Sequence, residues 1–166
     1  MRGDRWAPRD NDPFESPRSD PAMAFEHSRK IAASPEEVFA AFADGKRLAR
    51  WWGPAGFTNT FTTFDFQPGG KWSFTMHGPD GKDYPNEMIV ETIERNRKIV
   101  FHHVCAPLFL LTTTLEPTSG GGTTVRWKQE FEDPEFGRRM AQILVPANEQ
   151  NLDRLSAEVL GPRAGR

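Results

Sequence analysis

The run Trp51-Trp52-Gly53-Pro54-Ala55-Gly56-Phe57, and the extended stretch behind it that turns at Pro68-Gly69-Gly70, decide how this chain is read. Each of two adjacent tryptophans buries about 150–250 Å² of ring, and each brings an indole N–H that wants a partner. Gly53 and Pro54 then stop the preceding helix at once and launch an extended run. The pair therefore marks an apolar interior at the end of a sheet. It names no reaction.

Upstream lie two helix starts. Ser34-Pro35-Glu36-Glu37 supplies an N-cap serine, a proline at the first helical position and a glutamate at the third. Val38, Phe39, Ala41 and Phe42 give that helix its apolar stripe. Asp44 caps a second, shorter helix over 46–52. Before both, residues 24–32 read as a strand with Phe25, His27, Arg29 and Ile31 on one side.

Downstream the chain is β-rich. Residues 58–66 and 71–77 flank Pro68-Gly69-Gly70 as a hairpin, and Trp72, Phe74 and Met76 alternate with Lys71, Ser73, Thr75 and His77. Gly78-Pro79-Asp80-Gly81 is the next turn. Further strands are expected over 86–94, 98–104, 109–115 and 123–131, the last with Val125, Trp127, Gln129 and Phe131 on one face. Asp133-Pro134-Glu135 opens a final helix that Gly161-Pro162 stops. Its expected buried face is Met140, Ile143, Leu144, Ala147, Leu152, Leu155 and Val159, with a kink predicted at Pro146. The order predicts an α+β fold. A seven-stranded antiparallel sheet wraps around a long C-terminal helix, with two short helices after the first strand.

Composition narrows the functional classes. The 21 Lys and Arg against 23 Asp and Glu leave a net charge of −2, which offers no general pull toward nucleic acid or anionic membrane. One cysteine, Cys105, excludes an internal disulfide and makes the cytoplasm the default. No apolar run reaches membrane-spanning length. Residues 1–22 alternate in charge sign between Pro8, Pro13, Pro17 and Pro21, so a disordered tail is expected there, with Met23 as an alternative start and one domain over 23–166.

These residues resemble the START-like helix-grip superfamily (SRPBCC domains). The branch is the one named after the activator of the heat-shock-protein-90 ATPase, whose bacterial members are often called polyketide-cyclase-like. The resemblance rests on Ser34-Pro35-Glu36-Glu37-Val38-Phe39, Trp51-Trp52-Gly53-Pro54, Pro68-Gly69-Gly70 with Trp72, Gly78-Pro79-Asp80-Gly81, Tyr84-Pro85-Asn86-Glu87 and the terminal helix with Leu152 and Leu155. It covers about residues 24–160. It implies a sheet gripping the last helix around an apolar pocket, but no shared catalytic set and no cofactor, because the superfamily hosts carriers, receptors, cyclases and co-chaperone domains.

Three functions follow as alternatives. The first is binding of a small hydrophobic, lipid-like or aromatic molecule, walled by Trp52, Trp72, Phe74, Met76, His103, Trp127, Met140, Leu144 and Ala147. The second is an enzyme acting on such a molecule with Tyr84 and Glu87 in polar roles, Glu87 being either a general acid–base or a structural carboxylate. The third is a chaperone-interaction module, and the protein is expected as a monomer or homodimer. His102 and His103 are neighbours on a strand and point to opposite faces, so they cannot share a metal, and no metal site is expected. His103 is either a polar handle in the cavity or a structural histidine. Cys105 reads as a small buried residue. Gly120-Gly121-Gly122 is a hairpin tip, lacking the Lys-Ser/Thr ending of a phosphate loop.

Overall fold

The computed structural model describes residues 24–161. The expected tail over 1–22 and the start at Met23 lie outside the described residues. In chain order the elements are β1 (Ala24–Ile31), α1 (Pro35–Ala43), α2 (Gly45–Trp51), β2 (Thr58–Phe64), β3 (Lys71–His77), β4 (Asp83–Glu94), β5 (Lys98–His103), β6 (Phe109–Pro117), β7 (Thr123–Phe131) and α3 (Pro134–Leu160). One seven-stranded sheet runs β1-β7-β6-β5-β4-β3-β2, every neighbour antiparallel. Six strands thus form a meander, and the first strand joins it beside the last.

Local chemistry accounts for the elements. The Ser34 hydroxyl accepts from the Glu37 N–H at 3.1 Å while the Glu37 carboxylate accepts from the Ser34 N–H at 2.9 Å, a reciprocal cap on α1. Asp44 accepts from Lys46 N and starts α2; Asp133 accepts from Glu135 N and starts α3. β4 begins three residues before the expected 86, so Tyr84 and Pro85 belong to the strand. Pro85 is tolerated because β5 pairs with β4 only from Met88 onward, leaving the first part of β4 a local edge.

The tryptophan pair sits where α2 ends. Trp51 and Trp52 rings lie 5.5 Å apart, and Trp52 reaches Trp72 at 5.7 Å and Trp127 at 6.1 Å. Trp72 meets Phe101 at 4.7 Å, so β3, β5 and β7 are tied through rings. The Trp51 indole donates to the Ala41 carbonyl at 2.9 Å. Gly53 adopts φ 96°, a left-handed turn where a side chain is strained, and a Cβ there would meet Met76 Cε at 2.7 Å.

Arg154 of α3 holds this loop in place. Its Nη1 donates to the carbonyls of Trp52, Gly53 and Pro54 at 3.1, 2.9 and 2.8 Å, and its Nη2 to those of Arg50 and Phe57 at 2.7 and 2.9 Å. One planar fork therefore satisfies five backbone acceptors that no regular ladder reaches. Glu158, one turn on, receives Arg47 and Arg50 of α2, each through Nε or Nη at 2.8–3.1 Å.

The buried stripe of α3 differs from the expected one. It consists of Gly137, Asn148, Asn151, Leu152, Leu155 and Val159, with Met140, Leu144 and Ala147 half-buried. Ile143, expected inside, is 61% exposed. At about 100° per residue it points about 140° away from Asn148. Two asparagines hold inward positions that a hydrophobicity pattern assigns to apolar neighbours. The helix is thus buried at its start and over its second half, and opens to solvent across the segment that carries Pro146.

Candidate ligand-binding site

The concave face near the start of α3 is built from one row of inward residues, with Phe131 of β7, Phe109 of β6, His103 of β5 and Met88 of β4 in register. Phe131 and Phe109 rings lie 5.3 Å apart, and Phe131 also meets Phe25 at 6.0 Å and Phe136 at 5.3 Å. Beside this row, the β5–β6 loop and the β7–α3 corner border an open cavity of about 590 Å³ lined by Ala106, Pro107, Leu108, Phe131, Glu132, Asp133 and Phe136. Its walls are apolar, and the two carboxylates occupy one side. Glu132 faces His102 Nε2 at 3.5 Å, and Asp133 is engaged as the helix cap. Arg139 lies over the Phe136 ring, 5.8 Å from its centroid.

His103 braces the loop that forms one wall. Asn86 donates from Nδ2 to the Tyr84 carbonyl, which turns its Oδ1 toward His103 Nε2 at 2.6 Å. The other ring nitrogen, Nδ1, faces the Pro107 carbonyl at 2.6 Å, and the ring stacks on Phe109 at 4.5 Å. Burial pulls this imidazole below its usual pKa, opposed by the backbone of Pro107 and Cys105 and reinforced by neighbouring His102. Each nitrogen faces a protein oxygen, and the neutral ring, with its single N–H, donates to one of the two, so the ring is committed to bracing this loop. Cys105 Sγ lies 3.5 Å from Nε2.

The nine expected wall residues separate into two groups. Trp52, Trp72, Phe74, His103 and Trp127 are buried on the concave side, with Met76 half-buried at the tryptophan end. Met140, Leu144 and Ala147 lie half-buried along the open stretch of α3. None of the nine lines the corner cavity; its lining continues the same concave surface at the sheet end. Phe131 follows from the alternation of β7 with Val125 and Trp127, whereas Leu108 and Phe136, which also line it, leave no local signal, because nothing in the sequence marks a loop as facing a helix start.

Tyr84 and Glu87 do not converge. Three positions apart on one strand, they face opposite sides of the sheet. Tyr84 is 40% exposed and its hydroxyl donates to Asp80 Oδ2 at 3.1 Å; that contact and partial burial raise its pKa, burial being the larger cause. The Glu87 side chain is 49% exposed, 3.6 Å from Lys71 Nζ. Among the described residues no three His, Cys, Asp or Glu side chains gather to hold a metal ion. No helix among them is long and apolar enough to cross a membrane.

A polar relay crosses the interface between α3 and β7. Trp127 Nε1 donates to Asn148 Oδ1 at 3.1 Å, and Asn148 Nδ2 donates to Gln129 Oε1 at 3.0 Å. Asn151 Nδ2 donates to the Trp51 carbonyl at 2.9 Å. The alternation of β7 places Gln129 on the inward face; its partners on α3 were not foreseen.

A long helix gripped by a seven-stranded antiparallel meander, with two short helices at one end, defines the START-like helix-grip class. Within it, the family described as "Activator of Hsp90 ATPase homolog 1-like protein" matches residues 32–159, and the chain belongs to that family. Among solved structures, a protein from Arthrobacter aurescens is similar over 88% of this chain and 91% of its own, at 26% identity and a TM-score of 0.78. One from Nitrosomonas europaea covers 84% of this chain and 96% of its own at 17% identity and a TM-score of 0.76. The AHSA1 protein of Silicibacter pomeroyi covers 82% of this chain and 96% of its own at 23% identity and a TM-score of 0.66. No curated protein matches the chain.

Proposed function

We propose that this protein binds a small, largely apolar molecule that enters at the corner between the β5–β6 loop and α3. The molecule extends under the half-buried stretch of Met140, Leu144 and Ala147, toward Trp127 and the ring wall of Trp52, Trp72, Phe74, Met76 and His103. The observation that carries the reading is the apolar corner cavity of about 590 Å³, whose back wall, Phe131, belongs to the concave face. That volume falls within the range of about 300–1,000 Å³ seen for small-molecule sites. Catalysis by Tyr84 and Glu87 draws less support, since they face opposite sides of the sheet. The family's description supports a second reading, contact with a chaperone. The reading places the protein in the cytoplasm as a monomer or homodimer.

The test is a titration with the uncharged fluorescent probe N-phenyl-1-naphthylamine on wild type and Leu108→Arg, with native mass spectrometry of the freshly purified protein. Leu108 is 40% exposed, so the arginine leaves the fold intact while bringing a charge to the cavity wall. Probe affinity is expected to fall about tenfold or more. Equal affinity in both proteins would show that the corner is not the entry.

A further inference from the structure

We infer that the side-chain amide of Gln129 is the hydrogen-bond donor of the ligand site, and that the bound molecule therefore carries a carbonyl-type oxygen at its inner end. The inference rests on the apolar-ligand reading above and adds the polar chemistry that the ligand must have.

The argument starts at an indole. A tryptophan Nε1–H donates and never accepts. The Trp127 contact to Asn148 therefore fixes the carboxamide oxygen of Asn148 toward Trp127. The Asn148 nitrogen is then the atom facing Gln129, and it donates to Gln129 Oε1. This leaves Gln129 Nε2, with two hydrogens, as the outer end of the relay. Neither amide can turn over without setting two donors or two acceptors face to face. The direction of the relay follows from residue chemistry, not from distinguishing nitrogen from oxygen.

Gln129 Nε2 has no hydrogen-bond partner among the described residues, although Gln129 as a whole is only 8% exposed. It is not sealed in either. The buried side-chain atoms without partners among the described residues are His27 Nε2, Asn59 Oδ1, Trp72 Nε1 and Thr113 Oγ1. The Gln129 donor thus keeps a small opening to the space beside it. On the same face of β7 the next inward residue is Phe131, the back wall of the corner cavity. Two residues along a strand span about 7 Å. A molecule that passes Phe131 by that distance meets an amide donor with nothing to donate to, framed by Phe25 and Leu111, its register partners on β1 and β6. A buried donor left unpaired is unfavourable, so an occupant offering an acceptor is preferred to one of the same shape without it.

The test uses two probes of nearly equal shape, benzophenone and diphenylmethane, which differ by one carbonyl. Calorimetric titration of the full chain is expected to give about 3- to 10-fold tighter binding of benzophenone, the range of one neutral hydrogen bond. In Gln129→Met, which keeps side-chain length and removes the donor, the two affinities should become equal. If that variant fails to fold, the Gln129 side-chain amide resonances of the wild type decide, since they should shift with benzophenone and stay put with diphenylmethane. Equal affinities in the wild type, or a preference for benzophenone that survives in a folded Gln129→Met, overturn the inference and leave the apolar-site reading standing. Binding of neither probe overturns both.

Discussion

The two ends of the interface between α3 and the sheet are built on opposite terms. At the tryptophan end rings and loop carbonyls are engaged, with Trp72 Nε1 and Asn59 Oδ1 left as buried atoms without a partner among the described residues. The rings of Trp51, Trp52, Trp72 and Trp127 touch one another, and the carbonyls of the loop that follows converge on Arg154. At the corner end Leu108 stands 40% exposed, Phe136 is half-buried, and the helix midsection opens to solvent. The same helix serves both ends. Its second half is a fastener, and its first half, tethered through Gly137 against Phe25 and Phe131, is the side of a vestibule. Saturation with partners sets shape, and lack of partners leaves a surface for something else.

The contrast breaks most visibly at Arg154. Arg154→Met takes a donor from five carbonyls, of which Trp52 keeps Asn59 Nδ2 and Pro54 keeps the Phe57 N–H, and is expected to remove about 3 kcal/mol or more, read by urea denaturation. A loss below about 1 kcal/mol would mean that the clamp is incidental. Arg154→Lys should recover little, because a single ammonium cannot span the same acceptors.

A smaller effect is expected on acidification. Glu158 is largely buried, which raises its carboxyl pKa, but hydrogen bonds from Arg50 and Arg47 outweigh this and hold it below the usual value. A carboxyl lowered on folding stabilises the protein above its unfolded pKa, near 4.3 in model peptides. That stability is lost as pH falls through the lower folded value. Melting curves from pH 6 down to 3 should therefore decline less steeply for Glu158→Gln than for wild type, with a difference of about 1 kcal/mol or less. Parallel curves would remove Glu158 from the fastener.

The smallest effect belongs to the corner. Leu108→Ser is expected to change stability by no more than about 0.5 kcal/mol in the same denaturation assay, since the side chain is already partly in water. A large loss would make the corner part of the core and erase the contrast.

Much of the tryptophan end was legible in the sequence, because its signals are local. The Ser34–Glu37 cap, the Asp44 cap and the Gly53-Pro54 break all act within a few residues. Arg154 was not legible, since its partners are backbone carbonyls about 100 residues away and leave no trace in composition. The corner was half legible. Strand alternation put Gln129 and Phe131 on the inward face, yet the helix was rotated in expectation toward Met140, Ile143 and Ala147 because they are apolar. Asn148 and Asn151 occupy inward positions instead, as indole and carbonyl groups wait there for amides. Hydrophobic periodicity cannot see a polar residue that is buried because it is paired.

The pairing of the first strand with the last also sets a clock on synthesis. Ile31 lies opposite Thr123, and between them the chain must emerge before β1 has a neighbour. At about 5–20 residues per second, those 92 residues (123 − 31) take roughly 5 to 18 seconds to be translated. The helix that covers the concave face comes later still. A nascent chain therefore carries a growing meander with bare aromatic rings on one side and an unpaired edge at β6. The molecules best placed to shield it in that interval are whatever the ribosome's surroundings supply.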